Sequence, residues 1–510
     1  MLQGFSFYRH PSSPPDTMEA STPPRFTHHK LLRTEAPWFA LYFCLFLLIY
    51  GYSILRLGMH VDDVYDFSGE ETGLYAAAGR WGVVLWRGIF GLGACVWAAG
   101  IISGVLISLC ICLQTHLLRL STWGQRLIFG GFYLGCIQFS HMLQFSFLCD
   151  AVAAAFLAVT GAVMLLQRPG VPARLGSIAL LTLAFGTYQA TAFYFATLFL
   201  LTELRRHQLQ QTAGQLRRVG AFIFTGMAAA ALWLLIKTAT VHLPFVTQAQ
   251  LTYVQGYQSS LTCWPEFLQA SPAEKGRLFL QSLMVGYPGQ WVCISALIPF
   301  VILFRRLTRT AMWRERVTVA LLLVLLCLTP YALGPLMLRG QTPWTLIAEP
   351  LMFAGLWGLL AASGVSFTPA LRKAAFAILG FTLIKGLYHV SEQAKLQAHE
   401  YDICVAELRA MRSAALAESA RSGSTAQHII LIGEPMNRPA TDHMCAEHTL
   451  TWSNMLYYYL RHLKLAEHMR IGTNAFYKKH KEEFDTMPLW PAPGSVRSLG
   501  NDIIIKIGPQ

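Results

Sequence analysis

The chain has 510 residues, of which 54% are hydrophobic and 13% are charged, and its mean hydropathy is +0.42. An ordinary soluble domain carries about twice that share of charged residues, so the composition excludes a soluble enzyme and predicts an α-helical polytopic membrane protein. The formal net charge is +13, but the basic residues fall in short loops between apolar segments, where they set orientation in the membrane. They do not form a patch that would bind nucleic acid.

The amino-terminal segment, residues 1–36, is rich in Pro, Ser and Thr and ends with basic residues. This composition is typical of a disordered cytoplasmic leader. The first apolar run, Trp38 to Leu55, approaches the roughly 20 residues that a helix needs to cross a bilayer. Basic residues precede it and acidic residues follow it, which predicts a cytoplasmic amino terminus and a first loop outside the cytoplasm.

That first outer loop concentrates acids in a region otherwise nearly free of them. Five carboxylates lie within ten residues: Asp62, Asp63, Asp66, Glu70 and Glu71. A charge near hydrocarbon is costly unless it faces water, a partner or a substrate. The cluster is therefore a candidate functional site, and a solvated loop that caps a helix end is the alternative.

Further apolar runs predict a helix in the membrane interface at 79–90 and spans at about 92–115, 127–145, 151–166, 219–236, 291–304, 317–338, 345–362 and 374–388. Residues 175–204 form another apolar run with arginines on both sides. Basic flanks at both ends predict that this run goes out and returns as two short helices meeting near Tyr188 and Gln189. A single tilted helix is the alternative. The total is about eleven spans.

The remaining features complete the predicted domains. Residues 37–390 form the membrane domain, with large outer loops at 56–90 and 238–290 and Arg339 in a short outer loop. After residue 390 the composition becomes that of a soluble domain. The runs QHIILIG at 427–433 and DIIIKI at 502–507 are strand-like, so residues 391–510 are predicted to form a small α/β domain outside the membrane.

Paired carboxylates at an outer membrane face suit the transfer of a sugar from a lipid-phosphate carrier to a hydroxyl group. A carboxylate can remove the proton of the acceptor hydroxyl while the sugar carbon is attacked. The departing phosphate needs positive charge or hydrogen-bond donors. The outer-loop candidates for that role are Arg80, Arg87 and Arg339.

With these residues the chain resembles the GT-C superfamily of multispanning glycosyltransferases, whose hallmark is an acidic pair in the first extracytoplasmic loop. More narrowly, it is similar to the bacterial and phage serotype-converting glucosyltransferase (Gtr) family, which decorates lipopolysaccharide O antigen. The matching motifs are YGYSILRLGMHVDD at 50–63, GRW at 79–81, Asp150 at the start of a span, and GTYQA at 186–190.

The resemblance implies a GT-C-like fold and an inverting transferase in the bacterial inner membrane, with its site and carboxyl terminus on the periplasmic side. The donor would be a polyprenyl-phosphate sugar such as undecaprenyl-phosphate glucose, and the acceptor a lipid-linked or surface glycan. A divalent metal is compatible with the superfamily, but no ligand spacing here demands one. Asp62 or Asp63 would be the general base, and the substrate-binding residues would be Asp66, Arg80, Asp150, Tyr188, Gln189 and Arg339.

Three other classes compete with the transferase. Transporters and lipid flippases often carry internal repeats and charges at mid-span, whereas here no repeat is evident and the acids lie at a boundary. Glycan polymerases and ligases tend to use arginines in late outer loops, whereas here the candidate catalytic residues are acids in the first outer loop. A structural scaffold would not need such a density of acidic and aromatic residues.

Overall fold

The computed structural model describes residues 28–55, 71–90, 96–136, 148–258, 269–283, 286–309, 312–333, 345–363, 368–423, 428–432, 469–471 and 474–507. Four of the predicted site residues, Asp62, Asp63, Asp66 and Arg339, lie outside these ranges. The described helices and strands define the fold, and the site roles of these four residues remain predictions.

Helices dominate the first 423 residues. In chain order they are α1 (His28–Leu55), α2 (Glu71–Ala77), α3 (Trp81–Phe90), α4 (Val96–Leu117), α5 (Trp123–Gly135), α6 (Cys149–Leu166), α7 (Val171–Thr187), α8 (Thr191–Gln208), α9 (Gln215–Thr240), α10 (Gln248–Gln258), α11 (Pro272–Leu283), α12 (Gly286–Thr308), α13 (Trp313–Leu328), α14 (Glu349–Ala361) and α15 (Pro369–Ser422).

Five described helices are long and apolar enough to cross a membrane: α1, α4, α6, α9 and the first half of α15. Helices α3, α7 and α14 are apolar but shorter. The prediction of a helical membrane protein is confirmed. The predicted number of about eleven spans is not confirmed by this set.

The segment with arginines at both ends is two helices, as the charge pattern predicts. Helix α7 ends at Thr187 and α8 begins at Thr191. The end of α8 meets the start of α9, because Arg218 Nε lies 2.8 Å from the Glu203 carboxylate. Helix α7 packs on α9, with the Thr182 hydroxyl 3.5 Å from the Ala229 carbonyl oxygen, and Arg174 and Arg217, near the starts of the two helices, line one cavity. Helices α7 and α9 therefore run in the same direction, α8 returns between them in the sequence, and the single tilted helix is excluded.

Arginines collect at the end of the bundle where α8 finishes and α9 begins, here called the arginine-rich end. Both carboxylate oxygens of Glu203 accept hydrogen bonds of 2.8 Å from Arg218, and Glu203 is 1% exposed. Arg126 binds both oxygens of Glu35 in the same way, at 2.8 and 2.9 Å. Arg205 donates to the carbonyl oxygens of Leu118 and Arg119. These bonds tie the ends of α1, α4, α5, α8 and α9 together.

The bundle core combines aromatic packing with a few buried polar side chains. Phe132 of α5 packs between Phe353 and Trp357 of α14, with ring centroids 4.9 and 5.2 Å apart. The amide of Gln114 in α4 donates to the hydroxyl groups of Tyr194 and Thr160 on two other helices. Hydrogen bonds between helices stabilise packing in an apolar solvent, where hydrophobic burial gives little drive.

Helix α15 is continuous through residue 390, the predicted domain boundary, and extends for 54 residues. Beyond it lie β1 (His428–Ile432), β2 (Met469–Ile471), β3 (Val496–Leu499) and β4 (Asp502–Lys506), with short helices α16 (Asn474–Lys479) and α17 (Lys481–Asp485). The sheet order is β2-β1-β4-β3. Strand β1 is parallel to β2 and β4, and β3 is antiparallel to β4. The two strands predicted from sequence, β1 and β4, are confirmed.

The buried ion pair at the arginine-rich end provides a test of the bundle. We expect Glu203→Gln to lower the free energy of unfolding by about 2 kcal/mol. The neutral amide makes weaker hydrogen bonds to Arg218 than the carboxylate does, and Arg218 loses its counter-charge. Thermal unfolding of the purified protein in detergent measures the change. Glu392→Gln, the same substitution at an exposed position of α15, should leave the transition where it is. Equal transitions for both variants would contradict the role given to Glu203.

Candidate active site

The end of the bundle opposite the arginine-rich end is organised by the turn between α2 and α3. Gly79 has a φ of +75°, a left-handed conformation that favours glycine. Its carbonyl oxygen accepts a hydrogen bond of 2.9 Å from Trp233 Nε1 of α9. The turn is thus held by α9, and it sets the position of Arg80, the next residue.

Helix α3 lies directly against the turn that joins α7 to α8. A Cβ atom added at Gly82 would collide with the Thr187 hydroxyl and lie 2.9 Å from the Thr187 backbone nitrogen. A Cβ atom added at Gly186 would collide with the Trp81 ring. The two glycines therefore permit a contact between backbones that larger residues would prevent.

This contact brings three predicted site residues together. The Arg80 guanidinium lies 5.5 Å from the centroid of the Tyr188 ring, within the range of a cation–π interaction. Gln189 Nε2 donates to the carbonyl oxygen of Ala78, at 3.2 Å. All three side chains are half-buried. The stacked ring limits the positions available to the guanidinium.

Asp150, at the start of α6, lies against the other end of α3. It is 2% exposed, and its Oδ2 atom accepts a hydrogen bond of 2.8 Å from Trp86 Nε1. Its Oδ1 atom accepts from the backbone N–H of Ala151 at 2.9 Å. Arg87, the residue after Trp86, lies 5.0 Å from the Tyr75 ring centroid. The buried carboxylate is thus partnered and fixed in orientation.

Helix α3 connects these two groups of residues. Trp86 is six positions after Arg80, which corresponds to about 9 Å along a helix axis. Trp86 and Tyr75 are contacts that the sequence analysis did not assign to the site. No local signal pairs Trp86 with Asp150, because 64 positions separate them.

The described residues on both sides of the acidic loop lie at this same end. Ile54, near its start, packs against Gly100 in the first turn of α4, and α2, which begins at Glu71, packs on α3. The loop itself, with Asp62, Asp63 and Asp66, lies outside the described residues. Within the described part of the chain, no group of three or more His, Cys, Asp or Glu residues is placed to hold a metal ion.

Comparison with known proteins gives one match. The family model described as Glucosyl transferase GtrII matches residues 51–354, which is more than half of the chain. The matched range contains the acidic loop, α3, Asp150 and the α7–α8 turn. No curated protein and no solved structure matches the chain.

The two-glycine contact predicts a difference between two alanine substitutions on one helix. Gly82→Ala should lower glucosyl transfer at least tenfold, because the new methyl group pushes α3 away from Thr187 and displaces Arg80. Gly88→Ala is the matched control, since a Cβ atom there meets nothing within 4 Å. Transfer rates of the two purified variants, at equal amounts of folded protein, measure the effect. Equal rates would show that the close contact of α3 with Thr187 is not needed for transfer.

Proposed function

The chain belongs to the GtrII family of glucosyl transferases, and we propose that it moves glucose from a polyprenyl-phosphate carrier to a cell-surface glycan such as the lipopolysaccharide O antigen. The reaction would take place at the periplasmic face of a bacterial inner membrane. The carboxyl-terminal sheet would lie on that same side.

One observation carries the proposal. A single helix, α3, has a stacked cation at one end, Arg80 on Tyr188, and a hydrogen-bonded carboxylate at the other, Asp150 with Trp86. The cation suits the phosphate of the donor. The buried Asp150 carboxylate fixes Trp86, an aromatic side chain of the kind that lines ligand pockets. The predicted catalytic acids lie in the chain between α1 and α2, and α2 packs on α3.

The proposed reaction is one displacement at the anomeric carbon of glucose. Asp62 or Asp63 removes the proton from the acceptor hydroxyl, whose oxygen forms the new bond to that carbon. The bond between the carbon and the phosphate oxygen breaks, and the polyprenyl phosphate leaves with the electron pair. Attack opposite the leaving group inverts the configuration. The other acid of the pair and Asp66 would orient the acceptor.

Arg80 is proposed to stabilise the departing phosphate. Stacking on Tyr188 orients the guanidinium before substrate arrives, which reduces the cost of ordering it on binding. The hydrogen bond from Gln189 to Ala78 holds the preceding turn. Arg339 would add a second cation. Negative charge develops on the phosphate oxygens as the bond breaks, so fixed cations favour the transition state.

The general-base assignment has a direct test. Asp62→Asn and Asp63→Asn keep the size of the side chain and remove its basicity, so the variant that lacks the base should lose about 10²- to 10⁴-fold in transfer rate. Purified enzyme, polyprenyl-phosphate glucose and the acceptor glycan supply the assay. Asp402→Asn, on the exposed face of α15, is the matched control. Wild-type rates in both loop variants would overturn the assignment.

The role of Arg80 predicts an effect on the donor. Arg80→Gln should lower kcat/KM for polyprenyl-phosphate glucose about tenfold to a hundredfold, the range expected when a charge-assisted hydrogen bond to the departing phosphate is lost. Arg80→Lys should recover part of that loss, because it keeps the charge without the flat stacking surface. The control is Arg309→Gln, an exposed arginine at the end of α12. An unchanged kcat/KM for the donor in Arg80→Gln would remove Arg80 from the donor site.

A further inference from the structure

A groove lies between α7 and α9 on the side of the bundle away from the candidate active site. It encloses about 410 Å³ and is lined by Arg174, Arg217, Gly220, Ala221, Phe224 and Thr225. Deeper in the bundle the two helices touch, where the Thr182 hydroxyl lies 3.5 Å from the carbonyl oxygen of Ala229. The groove lies nearer the arginine-rich end, between the first halves of the two helices.

The two arginines of the groove differ from their neighbours. Within the described part of the chain, neither Arg174 nor Arg217 makes a side-chain hydrogen bond or an ion pair. Arg218, next in sequence, is bound to both oxygens of Glu203. Two guanidinium groups from different helices thus face one cavity without an acidic partner among the described residues. Their charge suits an anion.

Thr225 supplies a second, independent observation. It is 1% exposed and its hydroxyl has no hydrogen-bond partner among the described residues. Thr160, Thr182 and Thr202 instead donate to the carbonyl four residues earlier in their helices. A buried hydroxyl without a partner is costly, so an acceptor from a ligand in the groove would relieve that cost.

The helix segments that line the groove also carry exposed apolar side chains, here called its rim. They are Val171 and Leu175 on α7 and Leu216, Ile223 and Phe224 on α9, each more than half exposed. Helix α9 is one of the candidate membrane spans, so this face meets hydrocarbon. A ligand that fits both the arginines and this rim has a charged head and apolar chains.

We propose that the groove binds an anionic diacyl glycerophospholipid of the surrounding leaflet. Its phosphate lies between Arg174 and Arg217, and an ester carbonyl accepts the hydrogen bond of Thr225. The small residues Gly220 and Ala221 make room for the glycerol, and a Cβ atom at Gly220 would meet nothing within 4 Å. Basic pockets between membrane helices are a recurrent way of holding lipid headgroups.

Lipid exchange on the full-length protein tests the proposal. Purified protein in detergent is titrated with phosphatidylglycerol or with phosphatidylcholine of identical chains, and bound lipid is counted by native mass spectrometry. We expect wild type to bind the anionic lipid at least tenfold more tightly than the zwitterionic one. The double variant Arg174→Gln/Arg217→Gln should lose that preference. Arg309→Gln/Arg314→Gln removes the same charge from exposed positions outside the groove and should keep it.

Thr225→Val gives a second readout that does not change charge. It should weaken the anionic lipid about fivefold, as loss of one hydrogen bond predicts. It should not lower the Tm, since the hydroxyl it removes has no partner among the described residues. Its result remains decisive if the double arginine variant fails to fold.

Several results would overturn the proposal. Equal binding of both lipids by wild type would do so. So would an equal loss of the preference for anionic lipid in the control variant Arg309→Gln/Arg314→Gln, because surface charge alone would then explain the preference. Displacement of the bound lipid by inorganic phosphate would point to a simple anion site. Tighter binding of polyprenyl phosphate than of phosphatidylglycerol would assign the groove to the carrier instead.

Discussion

The candidate site depends on the close contact between α3 and the turn that joins α7 to α8. Gly82 and Gly186 lie at that contact, and a side chain on either would collide with Thr187 or Trp81. The contact fixes α3 on the bundle, and α3 in turn places Arg80 over Tyr188 and Trp86 against Asp150. A site assembled from four helices is thus positioned by one short apolar helix.

The same contact also covers the turn between α7 and α8, whose irregular backbone would be costly in a membrane. Irregular backbone at membrane depth must find its hydrogen bonds within the protein. Here the backbone N–H of Tyr188 donates to Ala184, and the carbonyl oxygen of Tyr188 accepts from the backbone N–H and the hydroxyl of Thr191. Helix α3 covers this break. The cover leaves the Tyr188 ring half-buried, where it can hold a cation. The irregular turn therefore interrupts the pair of helices and also provides the aromatic ring of Tyr188.

Charge and periodicity in the sequence predict the features that are local. Arginines on both sides of residues 175–204 predict the two helices, and apolar runs predict β1 and β4. The contacts within the site could not be predicted from the sequence, because whether Trp86 meets Asp150 depends on how four helices pack. The continuity of α15 across residue 390 was missed for a related reason: composition changes there, but nothing in the chain stops the helix. The carboxylates on which the catalytic hypothesis depends, Asp62 and Asp63, remain predictions from sequence and resemblance.

The two ends of the bundle hold arginine in different ways, and the difference bears on function. At the arginine-rich end, Arg126 and Arg218 are bound by the carboxylates of Glu35 and Glu203, which use their N–H donors and cancel their charge. Such pairs fix helix ends and are not available to a ligand. At the other end, Arg80 is held through the face of an aromatic ring, which leaves the N–H groups at its edge to donate elsewhere. An aromatic partner thus orients a cation without neutralising it, which is what the proposed role of Arg80 in binding phosphate requires.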